Sequence, residues 1–257
     1  MALRNRLWNL IKKYYWEEGR KRTLYPGVFH SFIEKLWDNY FKAPIDTISD
    51  YWNRIYEAIR SYFFECEWFN VYDFLEFLVN NFPDKDLNDK FIEKCNRVLE
   101  EEMSAYRFVG KQITEITSKE EIAEIEEALE SPFKTVNIHL QNALNLMSDR
   151  KSPDYRNSIK ESISAVEAIC RIIVKDDKAT LGQALKKIDK EISLHPALIE
   201  AFKKLYGYTS SAEGIRHALL EDEEITLSFE DAKFMLVSCS AFINYLISKA
   251  RKHMGEL

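Results

Sequence analysis

Apolar residues recur every three or four positions through most of the chain, which is the spacing of one face of an amphipathic helix. The stripe of the first predicted helix is Leu3, Leu7, Leu10 and Ile11. The same spacing predicts four more helices before residue 105. Pro44 is predicted to end the second of them, because proline lacks the N–H that a continuing helix needs. Residues 1–105 are therefore predicted to form an N-terminal helical domain.

Residues 106–117 break the helical pattern. Two short runs rich in β-branched and aromatic residues flank Gly110-Lys111, as in a small β-hairpin. A helix follows, and Ser118 and Glu121 have the spacing of a capping box at its start. The segment 106–130 is therefore predicted to contain a hairpin and a connecting helix.

Helical spacing returns from residue 131 to the end. One of the predicted helices starts near Ser152-Pro153, because proline is favoured in a first helical turn, and the last has Ser228 as its N-cap. Residues 131–257 are predicted to be a second helical domain. The fold class that follows is all-α, with two packed helical bundles and one small β-hairpin between them.

Composition supports a helical protein of one large domain or two moderate ones. Only 7 Gly and 6 Pro in 257 residues leave little material for the many tight turns of a β-sandwich. The net charge of −6 argues against broad nucleic-acid affinity, although a local basic groove is compatible with it. The aromatic residues crowd into the first hundred positions, where they form either a core or a base-stacking surface; the core interpretation is preferred.

Several kinds of site have no signature in the sequence. The four cysteines share no CxxC spacing and are expected to be buried, reduced thiols. There is no Gly-rich phosphate loop, no nucleophile elbow and no zinc-ligand spacing, so neither a cofactor nor a metal is expected. The absence of a signal peptide and of a long apolar run predicts a cytoplasmic protein without a membrane segment.

The run "GYTSSAEGIRHALLEDEE", residues 207–224, contains the strongest candidate site. A Gly-Tyr-Thr-Ser-Ser turn is expected to open a helix near Ser210 or Ser211, and that helix carries Arg216 and His217. Arginine offers a fork of donors to phosphate oxygens, and histidine exchanges protons near neutral pH. The structural alternative is that Arg216 pairs with Glu213 or Glu161 and that His217 is partly buried.

The helix predicted over residues 155–174 has a stripe of small side chains. Ser158, Ser162 and Ala165 fall on it, and they would let another helix approach closely, within the chain or in a homodimer. Glu161 and Glu167 flank the stripe. They are interpreted either as surface carboxylates or as partners of a cation across the bundle.

A family resemblance rests on long runs of residues. The runs "LRNRLWNLI", "LWDNYFKAPIDTI" and "YFFECEWFNVYDFLEF" resemble the AbiJ N-terminal domain four family of phage-defence proteins, and so do "YRNSIKESISAVEAICR" and "LYGYTSSAEGIRHALL". The C-terminal half is also similar in plan to HEPN domains. This resemblance implies a two-fold homodimer and a metal-independent ribonuclease, with tRNA or another cellular RNA as its target and a cognate partner from a defence system.

The resemblance to HEPN ribonucleases is incomplete at the site. Those enzymes have an arginine followed after four to six residues by a histidine, whereas Leu220, Glu221 and Asp222 occupy the corresponding positions after Arg216. Arg216 therefore matches the motif arginine, and His217 does not match the motif histidine. The predicted catalytic residues are Arg216 and His217, with Glu161 and Glu213 in support. The alternatives are a non-catalytic module that binds RNA, nucleotide or a partner protein, and a plain oligomerisation scaffold.

Overall fold

The computed structural model describes residues 2–19, 26–192, 194–211 and 227–254. These residues are mostly helical, with one two-stranded antiparallel hairpin, which confirms the predicted all-α class. The chain divides into two compact units, Met1–Glu115 and Ile116–Leu257. The predicted connecting segment 106–130 is thus divided, because its hairpin belongs to the first unit and its helix to the second.

Five α-helices and three short irregular helical segments build the described part of the first unit. After the second helix, Lys42 adopts a left-handed backbone conformation two residues ahead of Pro44, so the predicted end of this helix is confirmed. The α-helices are α1 (Ala2–Ile11), α2 (Pro26–Lys35), α3 (Trp52–Glu65), α4 (Trp68–Asn81) and α5 (Lys85–Glu101). Wider π-helical turns, Lys12–Gly19 and Leu36–Phe41, continue α1 and α2, and a 3-10 turn spans Ile45–Thr47.

Aromatic rings fill the core of the first unit. Tyr15, Phe63, Phe74 and Phe91 are fully buried and contact one another or neighbouring rings edge-on. Tyr15 also donates a hydrogen bond of 2.9 Å to Asn88 Oδ1, which satisfies its buried hydroxyl. The core interpretation of the N-terminal aromatics is therefore confirmed for most of them. The tryptophans Trp8, Trp16 and Trp37 are buried, Trp52 is partly buried, and Trp68 is exposed.

The predicted hairpin is confirmed. Strand β1 (Arg107–Val109) pairs with β2 (Gln112–Thr114), and the turn residue Gly110 has a φ of 56°, which glycine adopts without strain. Phe108 and Ile113 lie opposite each other and are both buried. Asn96 on α5 holds the hairpin against the helices, because its side chain both donates to and accepts from the backbone of Phe108.

The second unit surrounds one central helix. The most extensive contacts of α8 (Tyr155–Val174) are with α7 (Lys134–Ser148) and α11 (Phe229–Met254), and α9 (Leu181–Ile192) packs on it as well. The remaining helices are α6 (Lys119–Leu129) and α10 (Pro196–Ser211).

One of two predicted boundaries in this unit is wrong. Helix α8 spans Tyr155–Val174, as predicted, and it starts two residues after Pro153 because Asp154 is the N-cap and its carboxylate accepts the N–H of Asn157 at 2.9 Å. The turn predicted at residues 207–211 is part of α10, which continues to Ser211. A single glycine inside a helix costs about 1 kcal/mol relative to alanine. Because each further residue adds a backbone hydrogen bond to the helix, Gly207 alone does not end α10.

The predicted helix caps are confirmed in part. Ser118 accepts the N–H of Glu121, but the Glu121 carboxylate forms an ion pair with Lys233 at 2.7 Å and does not complete the capping box. A reciprocal box forms instead at the start of α11, where Ser228 and Asp231 bond each other's backbone N–H groups. The predicted N-cap Ser228 is therefore confirmed.

The small-residue stripe of α8 is used inside the chain. Ser158, Ser162 and Ala165 are fully buried, and the Ser158 hydroxyl donates to the carbonyl of Ala143 on α7 at 2.7 Å. The stripe therefore lets α7 and α8 approach closely, and it is not an exposed surface for a second copy.

Changing the size of the side chain at position 158 is expected to destabilise the second unit. Ser158→Leu should lower the free energy of unfolding by about 1–3 kcal/mol through overpacking, and Ser158→Ala by about 1 kcal/mol through the lost hydrogen bond. The measurement is urea unfolding followed by far-ultraviolet circular dichroism. Ser164→Ala on the same helix is the control, since Ser164 is partly exposed. Equal stability of Ser158→Leu and the wild type would contradict the close contact.

Candidate functional site

Three of the four predicted site residues lie outside the described residues. These are Arg216, His217 and Glu213, which belong to the segment 212–226. Glu161 is described, and it lies on α8 where that helix packs against α7. The geometry of the candidate site therefore starts from Glu161.

Glu161 forms a pair with a histidine that sequence reasoning missed. Its Oε2 atom lies 2.8 Å from His139 Nδ1 and 3.4 Å from Asn142 Nδ2, both on α7. The His139 and Glu161 side chains are 30% and 23% exposed, so the pair is accessible to a ligand without being fully hydrated. No group in the described part of the chain bonds His139 Nε2. The carboxylate thus orients the imidazole and leaves one ring nitrogen for another partner.

The sequence contains a weak signal for this pair. His139 and Asn142 are three residues apart, so they share one face of α7. Their partner is 22 residues away from His139 in the chain, on the next helix, and no local pattern joins the two positions. Glu161 was predicted to be a surface carboxylate or to pair with a cation across the bundle; His139 is the partner that the structure describes, and Arg216 lies outside the described residues.

Glu167, the second carboxylate flanking the stripe, has a different environment. It lies 3.6 Å from Arg171 on the same helix, and the Arg171 guanidinium also donates to the carbonyl of Ala179. This ion pair links neighbouring residues of α8 and the turn that follows it. Glu167 therefore contributes to the local structure of α8.

Helix α11 begins close to the start of α8, the helix that carries Glu161. The ring centroid of Phe229, the first residue of α11, lies 6.4 Å from that of Tyr155, the first residue of α8. Glu161 is six residues further along α8, or about 9 Å along the helix axis.

A separate cleft lies between α6 and α11. Its volume is about 710 Å³, and its walls carry charges of both signs: Glu126, Glu127 and Glu130 on α6 and beyond it, and Arg251 and Lys252 on α11. Glu161, the predicted site residue that the structure describes, does not line it. Its three carboxylates would repel a phosphate backbone, so this cleft is a poor candidate for an RNA site.

The cysteines are poor nucleophiles. Burial raises the pKa of Cys170 and of Cys239 to about 12, and it also raises the pKa of the Cys95 and Cys66 thiols. All four are free thiols, and three are fully buried, which confirms most of the expectation drawn from the sequence. The thiolate is the reactive form, and it is therefore scarce at neutral pH.

Native thiols are accordingly expected to resist alkylation. At pH 8, iodoacetamide should leave Cys95, Cys170 and Cys239 unmodified in the native protein and should modify all four cysteines in urea. Mass spectrometry of the digested protein measures each site. Rapid labelling of Cys170 or Cys239 under native conditions would contradict their burial.

The comparisons with known proteins concern the N-terminal half of the chain. The family model of AbiJ N-terminal domain 4 matches residues 1–131. The chain belongs to this family. Membership indicates a role in abortive infection, which is a form of phage defence. The matched residues include the first unit, the hairpin and α6, whereas the C-terminal runs that were also compared with the family lie beyond the match.

No curated protein and no solved structure matches the chain. The similarity of the C-terminal unit to HEPN domains therefore remains a prediction from sequence. In the described part of the chain, no helix combines the length and the apolar character that crossing a membrane requires.

Proposed function

We propose that the protein is an abortive-infection effector that cleaves RNA without a metal ion, through a HEPN-like C-terminal unit. Arg216 binds the scissile phosphate, His217 transfers a proton, and Glu161 supports them together with Glu213. Family membership supports the role in phage defence. The observation that best supports a site for proton transfer is the accessible His139–Glu161 pair.

The proposed reaction needs only groups that this chain supplies. The RNA 2′-oxygen attacks the neighbouring phosphorus and its proton passes to an imidazole. The bond between phosphorus and the 5′-oxygen breaks, and a second proton goes to that oxygen, which leaves a 2′,3′-cyclic phosphate. Histidine serves in both transfers because it titrates near neutral pH, and Arg216 stabilises the charge on the phosphate oxygens.

His139 has a defined part in this proposal. Its Nδ1 is bonded to Glu161, so Nε2 is the atom that would exchange the proton. A carboxylate in this position fixes the ring and stabilises the imidazolium that forms. His139 thereby offers the proton-transfer group that the sequence lacks at the usual spacing after Arg216.

The second candidate function is a non-catalytic module that binds RNA, nucleotide or a partner protein. The missing histidine four to six residues after Arg216 favours it. In this case Arg216 still binds an anion, and the His139–Glu161 pair is a structural bridge between α7 and α8. In either case we propose a homodimer and a cognate partner from a defence system, as the HEPN resemblance implies.

The test is incubation of the purified protein with total tRNA and ribosomal RNA in EDTA. The wild type should cleave RNA, and the double variant Arg216→Ala, His217→Ala should not. His139→Ala should reduce cleavage, whereas His30→Ala should have no effect. His30 forms a comparable pair with Glu34 on the surface of the first unit, which makes it a matched control. RNA binding without cleavage by the wild type would favour the non-catalytic module.

A further inference from the structure

The exposed residues of α11, up to Lys252, lie on one side of this helix. They are Glu230, Phe234, Ala241, Ser248, Arg251 and Lys252. Steps of four and seven residues connect five of them, and such steps return a helix to nearly the same direction. These five residues therefore form a continuous stripe. We call the stripe Glu230, Phe234, Ala241, Ser248 and Lys252 the Ala241 face.

Phe234 places an aromatic ring on this face. Its side chain is 58% exposed, although it lies in a helix that is otherwise well packed. The neighbouring Lys233 forms an ion pair with Glu121 on α6 at 2.7 Å, and Met235 is fully buried. Phe234 therefore points to the outer side of α11, where a second molecule could remove its ring from water.

The cleft between α6 and α11 opens at the other end of the same face. Ser248 and Lys252 belong both to the face and to the walls of the cleft. Ala123 and the buried Ile247 add apolar surface to it. The volume of about 710 Å³ is large enough for a phenylalanine side chain, and Arg251 in the wall can lie over an aromatic ring. The face thus has an apolar projection near one end and a recess near the other.

The positions on this face are symmetric about Ala241. Phe234 and Ser248 lie seven residues before and after it, and the same holds for Glu230 and Lys252 at eleven residues. In two antiparallel copies of α11 related by a two-fold axis at Ala241, residues at equal distances from the axis face each other. Phe234 of each copy then meets the cleft beside Ser248 of the other. The small side chain of Ala241 allows the helices to approach closely on the axis.

The charges of α11 favour this antiparallel arrangement. Glu230 and Asp231 lie in its first turn, and Arg251 and Lys252 lie near its end. These positions also suit the helix dipole within one chain. Between two chains, a parallel pair would bring like charges together, whereas an antiparallel pair brings the acidic end of each helix to the basic end of the other. A second copy of this chain is therefore complementary to the face in both shape and charge.

We propose that the Ala241 face is a homodimer interface, in which Phe234 of each copy fills the cleft between α6 and α11 of the other. The inference rests on the homodimer of the proposed function, to which it gives a surface, and not on RNA cleavage. The small-residue stripe of α8 does not offer this surface, because Ser158, Ser162 and Ala165 are buried within the chain. Both copies use the same residues, so the contact closes at two copies.

Sedimentation velocity of the full-length protein without RNA tests this interface. The wild type should be a dimer, and Phe234→Ala and Ala241→Arg should each raise its dissociation constant at least about tenfold. Tyr51→Ala and Ala58→Arg are the matched controls, because both residues are exposed on the first unit, and they should leave the constant unchanged. The far-ultraviolet circular dichroism spectrum should be the same for all of these proteins, since all four side chains are exposed.

Two charge reversals test the antiparallel arrangement. Glu230→Lys and Lys252→Glu should each weaken the dimer about threefold or more, and the double variant should restore it. The two positions are separated by about 33 Å along one helix, so they can interact directly only between copies. A monomeric wild type, unchanged association of Phe234→Ala and Ala241→Arg, or a double variant no stronger than the single ones would overturn the proposal. These results do not depend on the proposed cleavage, because no RNA is present.

Discussion

Replacing Arg216 with alanine is expected to reduce RNA cleavage by at least about 100-fold, because one preorganised donor to a developing oxyanion contributes about 10²–10³ in rate. Phage protection should be lost with it. A role in ligand binding predicts that the free energy of unfolding changes by no more than about 0.5 kcal/mol. Cleavage is measured on labelled RNA, and protection as plaque formation in cells that express the variant.

Two further variants test the roles of Arg216 and His217. Arg216→Lys should also fail, because an ammonium is a point charge and cannot replace the bidentate fork of a guanidinium. His217→Ala should lose cleavage and retain RNA binding if His217 transfers a proton. If Arg216→Ala unfolds the protein or leaves phage protection intact, Arg216 and His217 are structural and the proposed function is wrong.

Replacing Phe74 with alanine is expected to lower the free energy of unfolding of the first unit by about 3–5 kcal/mol. Phe74 is fully buried on α4, and its ring contacts those of Tyr40, Tyr62 and Phe63. Alanine would leave a cavity among rigid rings that cannot collapse to fill it. Phe74→Leu preserves more of the volume and should cost less than about 1.5 kcal/mol.

Tryptophan fluorescence measures this effect selectively. All five tryptophans lie at or before residue 68, so their emission during urea unfolding follows the first unit. Trp68→Ala on the same helix is the control and should cost less than about 1 kcal/mol, because Trp68 is half exposed. A larger loss for Trp68→Ala than for Phe74→Ala would contradict the described division between core and surface.

The sequence was sufficient for the fold class because its signals are local. Helical spacing, Gly110 in the hairpin and Ser228 at an N-cap all act within a few residues, and all three are confirmed. The start of α8 is also local, since the carboxylate of Asp154 accepts the N–H of Asn157. The turn predicted at residues 207–211 was wrong, because α10 continues through Gly207 to Ser211.

The sequence was insufficient where function depends on distant residues. His139 meets Glu161 only because α7 and α8 pack together, and no spacing in the chain encodes that pairing.

The most direct test of the proposed function uses one RNA in two forms. The RNA is identical in both except that the second has a 2′-deoxy sugar at the mapped cleavage site, and both are incubated with the purified protein in EDTA. The proposed mechanism predicts cleavage of the all-ribose form alone, with a 2′,3′-cyclic phosphate end and no product in Arg216→Ala. Cleavage of the deoxy form, or a requirement for a divalent metal ion, would contradict it.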